Sequence, residues 1–147
     1  MMTQNVISHL AWTEKRETEQ EHIDGWALQA LATIDELSKA SAAQRCSDEI
    51  ERIMNFLLLF LAEHFRNEEE EMRRYRYPWY DEHVTSHIEF WLSLDRYMIW
   101  LNTEGFTREA VDETMRWMTE WLEEHIQGEN SNLAIYLAID TLNRFML

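Results

Sequence analysis

Apolar residues return every three to four positions through most of this chain, the period of helices that bury one face. Thr18 followed by Glu21 forms a capping-box pattern, and Ile23, Trp26, Leu28, Leu31, Ile34 and Leu37 then keep helical spacing. A first helix is predicted from about residue 19 to about 39. The small-residue stretch KASAAQRCS leads to a second start signal, Ser47 with Asp48 and Glu49 behind it. From there Ile50, Ile53, Phe56, Leu57, Phe60 and Leu61 carry a helix from about 47 to about 74. Pro78, the only proline, interrupts the pattern and fits the first turn of a third helix over about 79–102. Asn102 to Gly105 reads as a turn, and Thr107 as the cap of a fourth helix over about 107–127. Its buried stripe is Ala110, Val111, Thr114, Met115, Met118, Trp121, Leu122 and Ile126. After Gly128 the apolar segment NLAIYLAIDTLNRFML is expected to fold back as a short C-terminal helix, about residues 131–145.

Four long helices with short connections and no alternating pattern predict an all-α fold, an up-and-down four-helix bundle. The chain reads as one domain over residues 1–147, with a short C-terminal helix and an N-terminal arm at 1–17 that has no clear period and in which Trp12 can serve as an anchor. Ligand sites in such bundles lie in the core between facing helices, so the chemistry is expected there.

Composition narrows the function classes. A hydrophobic fraction of 46% excludes a disordered chain, and 3 glycines with 1 proline leave too few turn residues for a β fold. The formal net charge of -15 argues against nucleic acid or an anionic membrane surface as partner, since both need a basic footprint. The most apolar stretch, MNFLLLFLA, contains Asn55 and falls well short of the roughly 20 residues that span a bilayer. The N-terminal MMTQNVISHLAWTEKRE has no basic segment leading into an apolar run, so no secretory signal is read. Cys46, the single cysteine, excludes an intramolecular disulfide and fits a reducing, cytoplasmic setting.

The histidines change the picture. His64 and Glu68 are four apart on the second predicted helix, and His83 and His87 are four apart on the third. Residues at this spacing stack on one helical face, so each pair can converge on one ion. His22 falls on the first helix and His125 on the fourth, which lets every helix contribute a ligand. Imidazole and carboxylate suit iron, zinc or manganese, and bundle cores lined by both hold carboxylate-bridged metal pairs. An ionised Glu68 buried among imidazoles is costly unless a cation offsets it. His9, in the unpatterned arm, reads as a surface residue.

These residues carry a resemblance. The run HFRNEEEEMRRYRYPWYDEHVTSHIEF is similar to the central signature of the hemerythrin family: a His followed by Phe, a Glu four after that His, a Met, a Tyr-Pro pair and two His four apart. Upstream, ETEQEH ending at His22 resembles the family's first histidine motif, with Thr18-Glu19 in place of the usual Ile-Asp. Downstream, WLEEHI resembles the fifth, at His125, and the likeness runs over about residues 12–130. The resemblance implies two non-haem iron ions joined by a bridging oxo or hydroxo group. His83, His87 and His125 would hold one iron, His22 and His64 the other, and Glu68 would bridge them. It further implies reversible binding of dioxygen, for carriage, storage or delivery, at the iron with fewer histidines. The ligand implied is dioxygen or another small diatomic, and no protein partner is named by the sequence.

One position departs from the family pattern. The second bridging carboxylate, an aspartate five residues after the fifth histidine, is Asn130 here. An amide oxygen is a neutral, weaker ligand, so the pair would be more positive by one unit. Glu129 is the candidate substitute: on a regular helix it lies about 40 degrees around from His125, against about 140 degrees for Asn130. Gly128 is also a point where that helix can loosen and turn Glu129 outward. An altered centre supports an alternative function, a sensor or redox enzyme acting on oxygen, peroxide or nitric oxide, although binding is expected ahead of catalysis. Phe65, Phe90, Trp91, Trp121 and Leu122 are candidates for a dry wall around the bound ligand, and Glu69 to Glu71 read as a solvated face.

Overall fold

The computed structural model describes the backbone from residue 11 to 146 and side chains from residue 25 to 146. Expectations that fall on His9, on the arm before Ala11, and on the side chains of Trp12 and His22 lie outside the described residues. Helix α1 spans Ala11–Ala42, α2 Ser47–Arg74, α3 Tyr80–Glu104, α4 Arg108–His125 and α5 Ser131–Met146. α1 starts well before the predicted capping box, so residues 11–17 are helix rather than arm. The apolar period is weak there, and helix length follows hydrogen bonding along the backbone more than burial of every turn.

The connections are short and chemically specific. α1 closes with Gln44 at φ 56 while Arg45 N–H donates to Ala40 C=O, a Schellman-type end. α2 ends the same way, with Arg76 at φ 53 and Tyr77 N–H donating to Met72 C=O. Pro78 lies in the turn just ahead of α3, one step before the predicted first helical turn. Gly105 at φ 88 stops α3, a backbone conformation that favours glycine. Thr107 caps α4 as predicted, its hydroxyl accepting from Ala110 N–H at 3.2 Å.

α4 and α5 are not separate antiparallel helices. Ile126–Asn130 forms a single π turn, and the residues on either side, His125 and Ser131, keep right-handed helical angles. The expected fold-back is therefore corrected: the chain continues as one long fourth rod from Arg108 to Met146 with a local widening. A π turn absorbs one extra residue without breaking the ladder, which a glycine plus a polar run in the sequence does not distinguish from a turn.

The rods form a ring in which α1 packs on α2, α4 and α5, and α3 packs on α2 and α4. The main core contains Leu37, Leu57, Leu61, Phe65, Phe90, Leu101, Met118 and Leu122. A second, smaller apolar cluster, centred on Met72, Tyr77, Leu133 and Leu137, lies toward the α5 end. Glu68 stands between Phe65 and Met72 on α2, and His125 between Leu122 and Leu133 on the fourth rod, so a polar layer is sandwiched between two dry ones. No helix among the described residues is long and apolar enough to cross a membrane.

Candidate metal centre

Three helices deliver four side chains to one point. Glu68 comes from α2, His83 and His87 from successive turns of α3, and His125 from the end of α4; all four are buried. Glu68 Oε1 lies 3.1 Å from His83 Nε2, 3.1 Å from His87 Nε2 and 3.4 Å from His125 Nε2. His125 Nε2 is in turn 3.2 Å from His83 Nε2 and 3.3 Å from His87 Nε2. Neighbouring donors around a metal with bonds of about 2.1 Å stand about 3.0 Å apart in an octahedron and about 3.4 Å apart in a tetrahedron. These separations fall between those edges. Nitrogen lone pairs aimed at one another repel unless something positive lies among them; a proton serves one pair at a time, while a cation serves all four donors. The donor set therefore fits a divalent metal ion.

The electrostatics differ from donor to donor. Burial by itself pushes the Glu68 carboxyl up, but the imidazoles of His125, His83 and His87 together hold it far below the usual carboxylate range. Burial keeps His83 below the ordinary imidazole value despite Glu68. For His125 burial also lowers, but the carboxylates of Glu129 and Glu68 more than offset it and the net direction is up. Ionised carboxylate and neutral imidazole are the forms that bind metal.

Behind the donors stand further carboxylates. His87 Nδ1 is 2.8 Å from Glu69 Oε2, and His125 Nδ1 is 3.5 Å from Glu129 Oε1, within ion-pair reach but not hydrogen-bonded. Carboxylates on the far nitrogen fix ring orientation and raise ligand basicity. Glu69 is thus a site residue that sequence reasoning assigned to the solvated face. Its position beside Glu68 carries no periodic signal; it reaches the site by crossing to α3.

Glu129 and Asn130 are separated by the π turn. In a π turn residue i+5 takes the place that i+4 holds in an α-helix, so Asn130 comes to the buried side while Glu129 stays half-exposed behind the His125 ring. Glu129 therefore loses the inward position that a regular helix would give it, and it is not among the four converging donors. Asn130 is 0% exposed, and neither its Oδ1 nor its Nδ2 has a hydrogen-bond partner. A buried amide left unpaired on both atoms is costly, and such an orphan beside a convergent donor set is what a metal ligand looks like without its ion.

His64 lies outside the group of four. Its ring stacks on Trp26, centroids 5.6 Å apart at 9°, and tilts against Phe60 at 4.3 Å. Trp26 in turn donates its indole N–H to Glu68 Oε2 at 2.9 Å. The sequence held a signal for this contact: Trp26 is four after His22, the spacing that also pairs His64 with Glu68.

Aromatic rings close one side. Phe65 stacks on His87 at 4.1 Å and 5°, and Trp121 on His125 at 4.5 Å and 17°. Phe90 and Trp91 pack edge-on against Phe65. On the other side a cleft of about 520 Å3, lined in part by Tyr77, Trp79, Glu129 and Tyr136, reaches His83.

The hemerythrin HHE cation-binding domain matches residues 19–136. The chain belongs to the hemerythrin family. No curated protein and no solved structure matches it. The match to this hemerythrin domain reaches into all four rods and takes in every one of the donors described above.

Proposed function

We propose that this chain is a non-haem iron protein that takes up dioxygen or another small oxidant beside a buried histidine and carboxylate cluster. The supporting observation is the convergence of Glu68 Oε1 with three imidazole Nε2 atoms at 3.1–3.4 Å inside the bundle. Glu68, His83, His87 and His125 would hold the metal, and Asn130 Oδ1 is available as a further neutral ligand. Ferrous iron held there would supply a reducing centre with open coordination positions.

The chain's own residues do the rest. Glu69 and Glu129 orient His87 and His125 and make them better donors. Phe65, Phe90, Trp91, Trp121 and Leu122 exclude water from one side, which protects a reduced metal from uncontrolled oxidation. The cleft beside His83 gives a small ligand its approach.

Two readings of that chemistry remain distinct. Reversible carriage, storage or delivery of dioxygen draws on the family resemblance and on a second iron at His22 and His64. A sensor or redox role is favoured by Asn130, which leaves the centre with one carboxylate fewer. Anaerobic reconstitution with ferrous iron followed by air separates them: an absorption change undone by removing oxygen supports carriage, and one-way oxidation supports sensing or redox chemistry. Protein that binds no iron under these conditions defeats both.

A further inference from the structure

The two oxygens of Glu68 do different things. Oε1 faces three imidazole nitrogens, while Oε2 accepts a hydrogen bond from Trp26 Nε1 at 2.9 Å. A carboxylate that bridges two metals uses both oxygens as ligands; one that binds a single metal commonly gives its second oxygen to a hydrogen-bond donor. Indole N–H can only donate, so it always presents a proton to Oε2 and cannot switch to accommodate a cation.

Trp26 is also not free to leave. It is buried, its edge meets the Phe65 ring at 5.5 Å and 83°, and its face stacks on His64. A cation arriving at Oε2 would compete with this N–H, and a displaced indole would keep a buried donor with no acceptor. Charge points the same way. With Asn130 at the aspartate position, Glu68 is the one carboxylate among the converging donors of the described residues, little to offset two divalent ions held close together. For one ion it suffices, with Glu69 and Glu129 completing neutralisation from behind the imidazoles.

We propose that this chain holds a single metal ion at Glu68, His83, His87 and His125, with Trp26 Nε1–H occupying Glu68 Oε2 where a second metal would have to bind. The inference rests on the reading that the four-residue cluster binds metal. It also favours sensing or redox chemistry over carriage by an iron pair.

The test is metal stoichiometry of the full chain, loaded anaerobically with excess ferrous iron, desalted and measured by mass spectrometry, with EPR after oxidation. Wild type is expected to hold one iron per chain and to show the half-integer-spin signal of isolated ferric iron. The double variant W26F/N130D, checked for helicity, is expected to move toward two irons per chain and an EPR-silent coupled pair. Two irons per wild-type chain would overturn the inference and leave the metal-binding reading intact. No iron in wild type would overturn both. One iron in wild type and still one in the folded double variant would overturn the role given to Trp26.

Discussion

Glu69 Oε2 lies 2.8 Å from His87 Nδ1, the nitrogen turned away from Glu68. Adjacent glutamates on α2 therefore address the two nitrogens of one imidazole, Glu68 from the metal side and Glu69 from behind. Removing the outer carboxylate should leave the donor set in place but less basic and less well aimed. Glu69→Ala is expected to weaken metal affinity by about 10–100-fold, with Glu69→Gln in between. Competition titration against a chelator measures this, and affinity equal to wild type would rule the orienting role out.

Glu129 should reveal itself in the pH profile. His125 must be neutral to bind metal, and its pKa is moved up because Glu129 and Glu68 outweigh burial. A raised pKa lets protons compete at higher pH. Glu129→Gln removes one of the raising partners, so the acid limb of metal loading should shift to lower pH. Loss of ligand basicity should at the same time reduce affinity at alkaline pH by about 10-fold. Loading curves between pH 5 and 9 read both; an acid limb moving upward contradicts the assignment.

Asn130 should cost stability without metal. Its amide is fully buried with neither atom paired. Asn130→Leu replaces it with an apolar side chain of similar size and should stabilise the metal-free protein by about 1–3 kcal/mol. Urea unfolding in chelator tests this. If Oδ1 is a ligand, the variant should gain less from added metal than wild type does.

Metal should tie the bundle together across α2, α3 and α4. At free metal 100-fold above the dissociation constant, stabilisation should be about 2.7 kcal/mol. Thermal unfolding with and without chelator should show it, and His83→Ala should abolish the increment. An unchanged Tm in wild type would show that no ion occupies the cluster.

Phe65 connects the aromatic wall to the main core, stacking on His87 and meeting Phe90, Trp91 and Trp26. Phe65→Ala should destabilise by about 3–5 kcal/mol. It should also speed air oxidation of bound ferrous iron, followed by absorbance, since water then reaches the His87 side. A variant with lowered stability but unaltered oxidation rate would confine Phe65 to packing.

The amino-acid pattern by itself determined the helices α2 to α4 nearly to the residue, because capping side chains and a 3.6-residue period act over short distances. Thr107 caps α4 ahead of Arg108, while α2 begins at Ser47 itself, behind Cys46 and without a side-chain cap, so its local signal is the acidic first turn of Asp48 and Glu49. The helical period likewise puts Glu68, His83, His87 and His125 on buried faces, His83 and His87 as an i, i+4 pair, without reference to any partner helix. Tertiary structure decided the rest. Whether residue 129 or 130 faces inward depends on the π turn between α4 and α5, at a junction where α5 also packs on α1. Spacing along α1 puts Trp26 four after His22, but its reach to Glu68, like that of Glu69 to His87, crosses between helices, where sequence spacing carries no distance information. The backbone period can place a donor on a face; only packing between faces fixes which oxygen of Glu68 meets the imidazoles and which meets the indole.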